Sequence, residues 1–279
     1  MTEDAGAAGG ILYVVSTPIG NMGDFSFRAV ETLKSVAAVL AEDTRHTRHL
    51  LDRYGIETPL LAYHEHNEAK TTPALVERLG RGESLALVSD AGTPLLSDPG
   101  ARLVRAATES GVRVSPVPGA SALLAALVAS GLDADRFTFL GFLARKGPER
   151  REAIALAIAS PVSVVLYEAA NRVADTLAEL AESGAGERET VVARELTKQY
   201  EELRRGTPAQ LAAYYAQSPP RGEVVIVIAG RTPTAASEEL LRARANALRA
   251  EGHSAREIAA ALSAELGAPR NVAYRLAHE

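Results

Sequence analysis

The sequence predicts an α/β protein of two α/β domains with a small helical domain at its end. Three observations predict it. Short apolar runs alternate regularly with helical patterns, the signature of strands and helices in βαβ units. The chain has 279 residues, enough for two modest cores. It is 47% hydrophobic, too apolar for disorder, yet only 5% aromatic with no Trp, so alanine and small aliphatics must fill a core of helices packed on buried strands.

The first domain is expected over 11–132, behind a short flexible stretch at 1–10. Ile11–Val15, Ala38–Ala41, Leu85–Val88 and 112–117 read as strands. Helical patterns cover 25–35, 44–54, 72–79, 101–110 and 120–129, and the alternation implies a mostly parallel sheet. The polar turn 131–136 is the first boundary. A second domain follows over 133–230, with strands at Phe137–Phe142, 162–167, Thr190–Arg194 and 224–228 and helices at 151–159, 173–183 and 208–216. Thr207 before Pro208 is a good helix start. Residues 231–279 read as a linker, 231–237, and an Ala-rich helical tail. There Ser254 and Glu257 form a capping box, Gly267 can end a helix in the left-handed conformation and Pro269 can open the next. The resulting hairpin of helices is either helix-turn-helix-like or a clasp on the main body.

Composition also excludes. With no cysteine there are no disulfides, thiol nucleophiles or Cys-ligated metals. Residues 1–10 lack the basic and apolar regions of a signal peptide, and the apolar stretch 117–132 is broken by Pro and Gly and too short for a bilayer, so a cytoplasmic protein is expected. A formal charge of −5 argues against a general nucleic-acid binder, although an RNA enzyme with local basic patches remains open. Neither the dinucleotide fingerprint nor the Walker loop is present, and Gly184-Ala-Gly186 precedes a strand and reads as a turn.

The chemistry gathers in three Pro/Gly loops at strand ends: Ser16-Thr17-Pro18-Ile19-Gly20-Asn21, Ser89-Asp90-Ala91-Gly92-Thr93-Pro94 and Pro118-Gly119-Ala120-Ser121-Ala122. The carboxyl edge of a parallel sheet is where such folds bind ligands. Small residues let a flat ligand approach the backbone, and without a lysine the second loop suits hydroxyls, an amine or a sulfonium better than phosphate. Ser97 or Asp98 can cap the next helix. His64 and His66 could form an H-x-H metal pair, but no third ligand is evident, and Tyr63 to Glu68 reads better as a cleft loop.

The ordered set Thr17-Pro18-Ile19-Gly20-Asn21, Ala41-Glu42-Asp43-Thr44-Arg45, Ser89-Asp90-Ala91-Gly92-Thr93-Pro94 and Pro118-Gly119-Ala120-Ser121 resembles the tetrapyrrole-methylase superfamily. Tyr63-His64-Glu65-His66-Asn67-Glu68, Phe139-Leu140-Gly141-Phe142-Leu143, Tyr167-Glu168 with Arg172, and Arg194-Glu195-Leu196-Thr197-Lys198 extend the likeness from about Ile11 to Gly230. The resemblance implies S-adenosylmethionine bound between two α/β domains, against Pro18, Ser89, Asp90, Ala91, Gly92, Thr93, Pro94, Ser121, Ala122, Tyr167 and Ala193. Within the superfamily it is similar to the members that methylate the ribose 2′-hydroxyl of a cytidine in the decoding region of small-subunit (16S) rRNA. It also implies a homodimer, an rRNA or assembled small-subunit partner and no metal. One departure is Ala144, where the family often has proline before a basic loop.

Methyl transfer from a sulfonium needs alignment and exclusion of water, and an alcohol acceptor must lose its proton. Glu195, Lys198, Asp43 and Glu168 are the candidates for that step. Lys198 is one of four lysines in an arginine-rich chain, which hints at a lowered pKa or an oxyanion contact, though Glu195 and Lys198 could equally form a local ion pair. Arg45 and Arg48 beside His49, Arg145 and Lys146 with Arg150 and Arg151, and Arg270 and Arg275 in the tail are candidate RNA contacts; solvated helix faces are the alternative. A tetrapyrrole or other small-molecule methylase and a catalytically silent RNA- or ribosome-binding module are the competing readings.

Overall fold

The computed structural model describes residues 9–231 and 237–279. Most of the expected flexible N-terminus (1–8) and the centre of the expected linker (232–236) lie outside the described residues.

The first sheet contains β1 (Ile11–Val15), β2 (Ala38–Ala41), β3 (Leu60–Ala62), β4 (Leu85–Val88) and β5 (Arg113–Val117), in the order β3-β2-β4-β1-β5. Every pairing is parallel. Both faces are covered, which is why the central strands read as unbroken apolar runs. Leu33 of α1 (Phe27–Ser35) and Leu50 and Leu51 of α2 (Thr44–Arg53) pack on one face with Val15, Val39 and Val88. Leu75 and Leu79 of α3 (Glu68–Gly80) and Leu103 of α4 (Ala101–Glu109) cover the other with Leu12, Leu40 and Leu87. Pro116 sits in β5, an edge strand, where a missing N–H is tolerated. Helix α3 begins a turn earlier than the expected 72–79; the hydroxyls of Thr71 and Thr72 donate to the carbonyls of Asn67 and Glu68 in that first turn.

The second sheet contains β6 (Phe137–Phe142), β7 (Ser163–Ala169), β8 (Thr190–Arg194), β9 (Glu202–Gly206) and β10 (Glu223–Ile228), in the order β6-β7-β10-β8-β9. Here the expectation of a mostly parallel sheet fails. Only β6 and β7 pair in parallel; β10 runs antiparallel to both neighbours and β8 to β9. The cause is the β8–β9 hairpin, which reverses the chain and which the sequence reading missed. The charges of Glu202, Arg204 and Arg205 hide β9 as a strand, and they suit it to a sheet edge.

Side chains alternate across this sheet. Val164, Leu166, Val192, Val224, Ile226 and Ile228 face α6 (Pro148–Ala159), α7 (Val173–Leu180) and α8 (Pro208–Gln217). Val165, Ala193, Val225 and Val227 face the opposite way, onto Leu123, Ala126 and Leu127 of α5 (Ala122–Ser130). Thus α5, which belongs to the first domain by sequence, welds the two together. Arg205 also donates to the carbonyls of Ala129 and Ser130.

The tail is α9 (Glu238–Ala250), α10 (Ala255–Leu266) and α11 (Arg270–His278) around its own core of Leu241, Leu248, Ile258, Leu262 and Leu276. The Ser254–Glu257 capping box and left-handed Gly267 are as the sequence predicts, and so is the Thr207 cap of α8. Among the described residues no hydrogen bond or ion pair ties the tail to either α/β domain, so the clasp reading gains no support.

Candidate active site

Loops from the carboxyl ends of β1, β2 and β4 meet the second domain around a cavity of about 340 Å³. The first domain contributes Ile19, Glu42, the Asp90-to-Thr93 turn, Leu96, Ser97, Asp98 and Ala122. Phe142, Tyr167, Glu168, Gly222, Glu223 and Val225 come from the second.

The loops hold one another. Thr17 and Gly92 exchange backbone hydrogen bonds of 2.8 and 3.1 Å, a two-residue antiparallel bridge. Ser89 Oγ donates to the Gly92 carbonyl and Thr93 Oγ1 to that of Ala120, at 3.0 and 3.2 Å. Gly92 has φ 82°, and a Cβ there would press on Ile19, so the turn needs glycine twice over. Leu95 and Ser97 adopt φ of 73° and 72° without being glycine, backbone strain of the kind that gathers at working sites.

Of the expected donor-binding residues, Asp90, Ala91, Gly92, Thr93, Ala122 and Tyr167 line the cavity, and Ala193 lines a small adjoining pocket with Leu196. Ser89 is buried beneath the turn. Ser121 caps α5 through its side chain, and neither it nor Pro18 or Pro94 lines the cavity. Tyr167 accepts the Leu123 N–H at 3.2 Å, and its ring meets Phe139 and the exposed Phe142. Burial pushes its phenol up. The charged lining is wholly acidic: Glu42, Asp90, Asp98, Glu168 and Glu223, with no Lys, Arg or His. Such a chamber suits a cation and rejects phosphate.

Asp98 is the strongest departure. Burial, then the charges of Glu42 and Asp90, pushes it up to about 6. Glu42 is also raised, chiefly by burial and Asp90. Sequence reasoning passed over both, treating Asp98 or Ser97 as a helix cap. The cap of α4 is instead Gly100, with no side-chain bond.

The expected catalytic residues are placed differently. Asp43 is exposed and caps α2; the N–H groups of Arg45 and His46 donate to it and hold its pKa low. Lys198 Nζ lies 3.0 Å from Glu195 and 3.2 Å from Glu223. Desolvation pulls the lysine down, but these hydrogen bonds outweigh it and the net shift is upward, so the expectation of a lowered pKa is overturned. Glu195 is opposed by its own desolvation, yet Lys198 and the Glu223 N–H bring it below the usual range. The ion-pair alternative holds. Lys198 also lies across Gly20, where any side chain would collide with it, and Thr197 accepts the Asn21 N–H, so this segment joins the first domain at the rim of the cleft.

Glu168 is fully buried and saturated. It accepts from Thr176 Oγ1 at 2.6 Å and the Ala169 N–H at 2.9 Å, and pairs with Arg172 at 3.3 Å. Arg150, expected to contact RNA, is buried in the same network, bonded to Glu179, Thr176 and the Ala144 carbonyl. Arg172 also holds the carbonyls of Leu143 and Ala144. Arg150 and Arg172 therefore brace the loop that exposes Arg145 and Lys146, and clamp it at the residue where proline is absent. Arg45 and Arg270 are exposed, Arg48 faces Asp52 at 3.9 Å, and Arg275 is paired with Glu238 and Glu279. His64 and His66 meet edge to face at 5.9 Å; among the described residues no three side chains are grouped to hold a metal.

Residues 11–212 match the family described as Tetrapyrrole (Corrin/Porphyrin) Methylases. The chain belongs to this family. S-adenosylmethionine is accordingly its methyl donor, and the acidic, aromatic-walled cavity fits a sulfonium cation. A Synechocystis protein named ribosomal RNA small subunit methyltransferase I is 46% identical over 273 residues, covering 97% of this chain and 98% of the relative. A Xylella fastidiosa protein of the same name is 49% identical, covering 95% and 98%. Among solved structures, a diphthine synthase superposes with TM-score 0.61 at 15% identity, covering 78% of this chain and 89% of that one. A uroporphyrin-III-C-methyltransferase from Thermus thermophilus gives 0.56 at 19%, covering 78% and 94%. These two attest the fold alone. No helix among the described residues is long and apolar enough to cross a membrane.

Proposed function

We propose that this chain transfers a methyl group from S-adenosylmethionine to the 2′-hydroxyl of a cytidine ribose in the decoding region of small-subunit ribosomal RNA. The observation that carries this reading is the near full-length likeness, tail included, to proteins named ribosomal RNA small subunit methyltransferase I. The distribution of charge supports it. The chamber is acidic, while Arg45, Arg145, Lys146 and Arg270 stand exposed outside it, so RNA phosphates are held at the periphery and only an uncharged sugar edge need enter.

When bound, the donor supplies an activated methyl group on a positively charged sulfur. The Asp90-to-Thr93 turn, Ala122 and Tyr167 would hold it, with Phe142 beside Tyr167 as an aromatic wall of the cavity. The Glu195–Lys198–Glu223 pairs keep the rim of the cleft in register with the loop at Gly20. Arg150 and Arg172 fix the basic loop without touching RNA. Homodimers acting on the assembled small subunit in the cytoplasm complete the reading, and sedimentation of the purified protein tests the dimer.

The experiment offers labelled S-adenosylmethionine with unmodified small subunits, naked rRNA or a tetrapyrrole precursor. Label is expected in the RNA, with resistance to alkaline cleavage at a single cytidine. Label in the tetrapyrrole alone would return the chain to small-molecule methylation, and label nowhere would leave a silent binding module.

A further inference from the structure

The five carboxylates of the chamber are not equivalent. Asp90 accepts the Asp43 N–H, Glu168 is saturated and Glu223 shares Lys198. Among the described residues, Asp98 and Glu42 alone of the five have neither a hydrogen-bond donor nor an ion-pair partner. They differ in how they are held. Asp98 follows the two left-handed residues Leu95 and Ser97, and Ser97 Oγ sits where the Gly141 backbone leaves room, 3.1 Å from the position of a Cβ. Gly141 lies at the register shift of β6, so the turn bearing Asp98 reaches from the end of β4 to an irregularity in the other domain. Glu42 stands on the first domain only, at the mouth of α2.

We propose that Asp98 accepts the proton of the attacking hydroxyl, which rests on the alcohol acceptor of the reading above. Asp98 takes the O–H proton while the oxygen forms its bond to the methyl carbon and the carbon–sulfur electron pair stays on sulfur. One positive charge disappears at sulfur and one negative charge at Asp98, so the net charge of the chamber is the same before and after. The direction is favourable too. Facing Asp98 are Glu42, Asp90, Tyr167, Glu168 and Glu223, with no cation among them. The donor's positive charge keeps Asp98 ionised until transfer; once that charge is gone, the surrounding carboxylates draw the proton onto it. A carboxyl already pushed up to about 6 is suited to both states.

The test uses the full chain with small ribosomal subunits from pH 5 to 9, comparing wild type with Asp98→Asn, Asp98→Glu and Glu42→Gln. Donor affinity is measured by calorimetry, and the Asp98 carboxyl is titrated by carbon NMR in the free protein. Expected are an NMR midpoint near the value of about 6 and a wild-type kcat that falls on the acid side. Asp98→Asn should lower kcat by about 100-fold or more and abolish that acid limb, with a far smaller loss of donor affinity from the missing charge. Asp98→Glu should recover part of the rate, and Glu42→Gln should keep the acid limb. Unchanged kcat in Asp98→Asn, or a loss of donor affinity that parallels it, would overturn the proposal. A wild-type protein that leaves RNA unmethylated would overturn the underlying reading instead, and wild-type turnover separates the two failures.

Discussion

The two sheets are of equal size but do different work. In the first, every strand points the same way, so the loops after β1, β2, β4 and β5 emerge at one edge and can brace one another, as Thr17 does with Gly92. In the second, the β8–β9 hairpin turns the chain around and strand ends are split between two edges. That sheet supplies walls: Tyr167 and Phe142 at the ends of β7 and β6, and Glu223 at the start of β10. A uniform direction gathers loops, whereas a reversed one builds a surface to close them against.

The contrast extends to charge, and the largest expected effect tests it. Glu168 in the second domain is buried and paired, while Glu42 and Asp98 of the first domain have no partner among the described residues. Glu168→Ala should destabilise the protein by about 3–5 kcal/mol in urea denaturation, because Arg172 is left without its partner. A small loss would mean that Glu168 is a spare carboxylate like Glu42.

Next come two leucines of similar burial. Leu33→Ala and Leu127→Ala should each cost about 2–5 kcal/mol. Only Leu127→Ala, which loosens α5 from the second sheet, should also weaken donor binding in calorimetry. Equal donor affinity in both would show that the cleft does not depend on the α5 contact.

The smallest effect concerns Asp98. Its carboxyl is raised from 3.8 to about 6 on folding, so its ionised form opposes folding above that range, and the penalty vanishes when both states are protonated. Asp98→Asn should therefore raise Tm at pH 7.5, with the gain shrinking as pH falls through 6 towards 4. A gain independent of pH would assign the effect to packing.

The sequence disclosed the buried parts of this fold best. Each central strand was an apolar run, and the caps at Thr207, Ser254 and Gly267 follow from their residue types. The missed strands, β3 and β9, are edges, one short and one charged, and losing β9 concealed the reversal of the second sheet. At the site, glycine and proline marked the loops, and the motifs led to the family. Roles of charged residues were less legible, because a side chain's partners come from distant segments. Nothing near Arg150 announces Thr176 and Glu179, and nothing near Asp98 announces that two other carboxylates deny it a counter-ion.

The placement of α5 matters for how the chain is made. Its outer turns keep Leu124 and Val128 exposed, and its inner face packs mainly on β7, β8 and β10 of the second sheet. During synthesis the first domain is finished well before Ile228 leaves the ribosome. At roughly 5–20 residues per second, a helix that is apolar all around waits about 5–20 s for its cover. For that interval the nascent protein carries a greasy rod with nowhere to dock, which makes α5 the natural client site for a chaperone and the first place where misassembly with a neighbouring chain would begin.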